Sequence, residues 1–151
     1  MSDYMGLETI ESSDYITPTI INQNFQKLDA LGLDYVVETG KSGEWWYRKW
    51  KSGRAECGID SKEFSEVTSW STTDYGYLTP DMSFGSYPFS FKSRPYTSIT
   101  FEGDKNYSTR GSYCVPRHSD STTLPPSFFI VDWGNQNMKP VCGIYVNGWY
   151  K

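Results

Sequence analysis

At 151 residues and a net charge of −4, the chain has room for one substantial core and lacks the clustered Lys/Arg that phosphate-backbone binding needs, so no nucleic-acid partner is expected. No apolar run approaches the roughly 18 residues of a membrane span, and the opening MSDYMGLETIESSDY lacks a basic-then-apolar secretory pattern, so no membrane insertion is expected either. Hydrophobic residues make up only 37% while aromatics reach 17%, a balance that suits a polar-surfaced β-protein with an aromatic core, or an oligomer completing its core across an interface.

Residues 1–16 are polar, acidic and aperiodic, and read as a flexible arm or docking segment for a neighbouring protein. Thr17-Pro18 then signals a helix start, with Thr17 as N-cap and Pro18 at the first helical position. Gly32 stands where a C-terminal cap belongs, so a helix is expected over 17–32. In one heptad register Ile21 and Leu28 take the a positions, Asn24 and Leu31 the d positions, and a lone seam Asn is a device that sets register and strand number. Two heptads are marginal alone in water. The helix is therefore expected to oligomerise around a three-fold axis with help from the β-domain; an amphipathic helix packed on its own sheet is the alternative.

Three segments follow, Leu33–Thr39, Glu44–Lys51 and Arg54–Ile59, separated by Gly40-Lys41-Ser42-Gly43 and Ser52-Gly53. Such tight joins predict an antiparallel meander. The middle segment carries Trp46 and Trp50 on one face, Trp45 and Tyr47 on the other, so both faces want cover. Trp45, Trp46 and Trp50 accordingly join Ile21, Asn24, Leu28 and Leu31 as expected oligomer-interface residues.

The run from Asp14 to Gly58 also carries a resemblance, through Thr17-Pro18, Asn22 to Leu31, Asp34-Tyr35-Val36-Val37, Tyr47-Arg48-Lys49-Trp50 and Ala55-Glu56-Cys57. It resembles the segment that introduces the distal domain of tail-fibre and minor structural proteins in phages and prophages of Gram-positive bacteria. The resemblance covers about a third of the chain. It implies a virion structural role in a trimeric fibre, with other virion proteins as partners, and does not specify a ligand.

Beyond the meander, strand-like segments recur at spacings of an all-β sandwich: Phe64–Trp70, Met82–Phe91, Tyr96–Glu102, Gly111–Pro116, Ser127–Trp133 and Val141–Val146. MSFGSYPFSFKS alternates, though Pro88 confines it to an edge or bulge. FFIVDW is short and almost wholly apolar, as a central buried strand should be. The expected fold is mainly β: a short N-terminal helix, then an antiparallel β-sandwich forming a knob over 33–151.

Reactive residues are sparse. His118, the one histidine, sits in the contiguous RHSDS, whereas triads draw members from separate segments, so a solvated loop histidine is expected. Cys57, Cys114 and Cys142 are odd in number and dispersed, which predicts buried reduced thiols, or one intrachain pair and a free thiol. No zinc ligand set is present, and Asp60, Glu63 and Glu66 lack a calcium-loop pattern, so no metal and no cofactor is expected. Carboxylates beside aromatics at Glu38, Glu44, Glu102 and Asp132 leave glycan hydrolysis as a minor alternative to a non-enzyme.

The aromatic excess is the remaining clue, because sugar rings dock on flat exposed Trp and Tyr faces. Loop-proximal candidates for ligand binding are Trp70, Tyr75, Tyr77, Tyr107, Tyr113, Trp149 and Tyr150. The sequence therefore reads as a non-catalytic, homotrimeric virion protein that attaches to a bacterial surface glycan or protein. A joining or decoration protein without a host ligand is the alternative, and a small glycan-hydrolysing tip a third.

Overall fold

The computed structural model describes residues 18–106 and 111–151, with side chains from residue 21 onward. The expected arm over 1–16, the N-cap Thr17 and the candidate Tyr107 lie outside the described residues. The protein is mainly β, with one short helix followed by two antiparallel sheets packed as a sandwich.

The helix α1 spans Pro18–Ala30. Its end is a Schellman turn: Gly32 adopts φ 64°, the Leu33 N–H donates to the Leu28 carbonyl at 3.3 Å, and the Gly32 N–H donates to Asp29 at 3.0 Å. The helix makes no extensive contact with either sheet. Phe25 tilts against Tyr35 at 5.3 Å between ring centroids, and Asp29 accepts from the Tyr35 hydroxyl at 2.9 Å and pairs with Lys51 at 3.4 Å. Ile21, Phe25 and Leu31 stay 40%, 41% and 52% exposed.

A meander forms: β1 (Val36–Ser42), β2 (Trp45–Trp50) and β3 (Arg54–Glu63) pair in sequence order. Its first turn is tighter than expected, because Gly40, Lys41 and Ser42 pair as strand with Tyr47, Trp46 and Trp45 and leave the reversal to Gly43, at φ 61°, and Glu44. The chain later returns as β6 (Tyr96–Asp104) and β9 (Pro140–Trp149). Together they make a five-stranded sheet in the order β1-β2-β3-β9-β6. The second sheet holds β4 (Ser71–Thr73), β5 (Gly76–Leu78), β7 (Tyr113–Pro116) and β8 (Phe128–Asp132), ordered β4-β5-β8-β7. The apolar β8 is central in its sheet, flanked by β5 and β7.

Two expected strands are not strands. Phe64–Trp70 runs irregularly, with a single bridge between Val67 and Met138. Strand β3 already continues through Glu63 against β9, and the chain then leaves for the other sheet. Met82–Phe91 is likewise irregular, with one bridge from Met82 to Phe128. Gly85 at φ 81° breaks the extended run. The buried positions are Phe84, Tyr87 and Phe91, a spacing no flat strand produces. This segment delivers rings into the sandwich instead of pairing. Phe84 stacks on Phe128 at 5.2 Å, and Phe64 meets both edge-on at 5.3 and 5.5 Å. Between these two segments the chain instead forms the short β4–β5 hairpin, with Thr72 opposite Tyr77 and Thr73 opposite Gly76.

The core joins Ala55, Cys57 and Ile59 of β3, Cys142, Ile144 and Val146 of β9, and Phe128 and Ile130 of β8. Trp45 is part of it, 5% exposed and edge-on to Tyr87 at 5.8 Å, so its cover comes from its own chain. The opposite face of β2 is covered in part by the chain as well. Trp46 lies over Gly58, where a Cβ would stand 2.8 Å from the indole and 2.7 Å from the Ile144 carbonyl oxygen. Its indole N–H donates to Asp60 at 2.7 Å, and Tyr145 lies 6.2 Å away, ring to ring.

Candidate functional site

The aromatic residues singled out from the sequence are dispersed among separate places. Register sets Tyr77 opposite Asp132 and Tyr113 opposite Val131, while Tyr75 sits in the β4–β5 turn. These three therefore share one end of the four-stranded sheet. Trp133, 73% exposed beside them in the chain after β8, was not singled out from the sequence, where it reads as the last residue of a buried strand. Tyr75 is 78% exposed and Tyr113 half exposed. Trp149 and Tyr150 lie on the other sheet, at the end of β9 opposite Arg54. Trp149 is exposed, whereas Tyr150 and Trp70 pack against the core.

Of the expected interface residues, Ile21 and Leu31 are exposed, Asn24, Leu28, Trp46 and Trp50 half-buried, and Trp45 is inside the sandwich. Arg48 lies over the Trp46 ring at 5.9 Å.

The best-formed concavity is elsewhere. A groove of about 580 Å³ opens between the start of β6 and the loop that follows β7. That volume falls within the range of small-molecule sites. Tyr87 forms one wall, with its hydroxyl 3.2 Å from that of Thr97; burial holds its phenol above the ordinary tyrosine range. Tyr96, 66% exposed, forms another. Arg94, Arg117, His118 and Ser119 line the remainder.

The loop is shaped by its own hydroxyls and by ties to the aromatic segment. Ser121 Oγ accepts from the N–H groups of Thr123 and Leu124 at 3.2 and 2.9 Å. The N–H groups of Tyr87 and Phe91 donate to the Thr123 and Thr122 carbonyls at 3.0 and 2.9 Å. The rim charges are paired. Arg117 holds Asp81 with two guanidinium nitrogens at 2.9 and 3.2 Å and stacks over Phe129 at 4.4 Å. The Arg117 bond holds the Asp81 carboxyl below its usual range. Asp120 accepts from Arg94 at 3.4 Å and bonds His118 at 3.2 Å.

Chemically, the groove offers guanidinium, imidazole and hydroxyl groups beside tyrosine faces, its two arginines being paired with Asp120 and Asp81. Nucleophile–base geometry is not what RHSDS adopts: His118 faces Asp120, and Ser119 Oγ accepts the Ser121 N–H at 3.2 Å. Glu38 and Glu44 are held by Lys49 and Lys62. Glu63 pairs with Lys105 and Lys139, and Glu66 accepts from Asn106. Among the described residues no group of three metal-ligating side chains comes together. Sequence reasoning missed the groove because its walls come from residues 87–97 and 116–126, which only the tertiary fold brings together; the nearest signal was the polar run RHSDS around His118.

No protein-family model and no curated protein matches the chain. Among solved structures, a C-terminal fragment of the Pseudomonas aeruginosa R1 pyocin fibre is similar at TM-score 0.57 and 9% identity, over 89% of this chain and 32% of that one. An N-truncated R1-type pyocin tail fibre is similar at TM-score 0.55 and 11% identity, over 83% of this chain and 95% of that one. The chain spans about a third of the first of these. At such identities the likeness is one of fold, and the fold is tail-fibre-like.

Proposed function

We propose that the chain is the knob of a homotrimeric tail fibre, or a closely related virion protein, of a phage or prophage of a Gram-positive host. It attaches to a bacterial surface glycan without cleaving it. The observation that carries this reading is the tail-fibre-like fold over most of the chain. Two features support the finer parts. The exposed apolar side of α1 continues into exposed Leu33, Val36 and Val37, a surface that a three-fold bundle covers. The groove beside Tyr87 and Tyr96, and the exposed rings Tyr75, Tyr113 and Trp149, offer sugar-sized surfaces. On this reading residues 1–16 dock on a neighbouring virion protein, 17–32 hold the trimer and 33–151 form the knob, and the protein resides in the virion.

The test is binding of purified protein to host cells and to isolated wall glycan, with light scattering for mass. A trimer that binds both, without releasing reducing ends from the glycan, is the expected result. A trimer that binds no host surface would favour a joining role. Release of reducing ends would identify a hydrolytic tip.

A further inference from the structure

Cys114 lies on β7 of the four-stranded sheet and Cys142 on β9 of the five-stranded sheet, yet their Sγ atoms are 3.8 Å apart across the sandwich interior. We propose that they form a latent inter-sheet disulfide, made as two thiols and oxidised to cystine when the protein meets a low-molecular-weight disulfide outside the cell. The extracellular setting rests on the virion reading above; the bridge itself rests on the geometry of the two sulfurs.

The sulfurs must approach by about 1.8 Å, from 3.8 Å to the ~2.05 Å of an S–S bond, a step within reach of side-chain rotation and slight closing of the sheets. Cys57 does not compete. It sits opposite Val146, so along β9 it is roughly 13 Å from Cys142. Cys57 and Cys142 are fully buried, while Cys114 is half-buried and packs at the margin of the core. The contact shared by the two thiols lowers the Cys114 thiol and raises that of Cys142, and Cys114 is also the less buried of the two, so it is the first to react. Burial pushes the Cys57 thiol up to about 12.

The chemistry balances as ordinary exchange. The Cys114 thiolate attacks one sulfur of oxidised glutathione, forming a mixed disulfide and releasing one glutathione thiolate. Cys142 then gives up its proton and attacks the Cys114 sulfur, expelling the second glutathione and closing the bridge. Two protein thiols are oxidised, one glutathione disulfide is reduced to two thiols, and the two protons end on them. The bridge ties β7 to β9 and so fastens the sheets together.

The experiment uses the full chain, purified reduced. Thiol titration in denaturant gives three per chain before treatment. After native incubation with oxidised glutathione it should give one, with two glutathione thiols released per chain and the peptides of Cys114 and Cys142 linked in mass spectra. Tm should rise by roughly 5–10 °C and fall back with a dithiol reductant. Cys57→Ser should drop from two thiols to none, and Cys114→Ser should lose the Tm increment. Persistence of three thiols in the unmutated chain, arrest at the glutathione adduct, pairing through Cys57, or a bond between chains would each overturn the proposal.

Discussion

Gly58 shows how much one residue decides. Its missing side chain lets Trp46 lie on the sheet, and an added Cβ would meet the Ile144 carbonyl at 2.7 Å as well as the indole. Gly58→Val should therefore destabilise the protein by about 1–3 kcal/mol, read as a lower denaturation midpoint at unchanged slope. An equal midpoint would mean that both Trp46 and the β9 backbone at Ile144 give way without cost. Charged residues act more weakly but with a definite sign. Lys49, Lys139 and Arg117 hold Glu38, Glu63 and Asp81 below their ordinary values. Depressed folded values give stability that is complete above the unfolded carboxylate range, near pH 4, and lost as pH falls through the lower folded values. Stability should thus be nearly flat from neutrality to about pH 5 and decline below it, a profile that denaturant midpoints across pH will check. Because these carboxylates are solvent-accessible, high salt should blunt the decline.

At the scale of elements, α1 has an apolar side that the described chain leaves largely uncovered. Leu28 and Asn24 are half-buried, while Ile21, Phe25 and Leu31 face outward. Leu28→Asp places a charge in the expected seam, so on the proposed trimeric reading the mass measured by light scattering should fall from trimer toward monomer. The β-rich circular dichroism should persist, since the sandwich core contains no residue of α1. An unchanged mass would remove the helix from assembly. The segment Met82–Phe91 teaches a different lesson. Its alternation read as a strand, but Gly85 at positive φ and Pro88 forfeit extended pairing, and the rings gain more by filling the core. Tertiary burial outweighed the local pattern.

For the whole molecule, attachment through paired-charge rims and aromatic faces should be insensitive to salt. Binding to wall glycan should change little between low and moderate ionic strength. Tyr96→Ala in the groove should weaken it by about 1–3 kcal/mol, by analogy with stacking on bases, and the same loss is expected of Tyr75→Ala or Trp149→Ala if glycan spans those surfaces. Isothermal titration or cell-binding isotherms of each variant decide which surface is used. A steep salt dependence with no loss in any variant would point to an ionic contact elsewhere.

The meander and its second turn at Ser52-Gly53, the helix end at Gly32, the central position of FFIVDW and the β class were legible in the sequence, because each is set by local chemistry: turn residues, a left-handed glycine, a short apolar run; the first turn was not, because pairing with β2 draws Gly40, Lys41 and Ser42 into the strand. Trp45 and Trp46 were recognised as wanting cover on opposite faces, but what covers them was not legible, since Tyr87, Gly58 and Asp60 come from elsewhere in the chain. The groove, the dispersal of the candidate aromatics over two sheets and the meeting of Cys114 with Cys142 were decided by tertiary structure alone. They depend on which strands become neighbours and which loops close over them, and that is settled by burying rings from distant segments in one core.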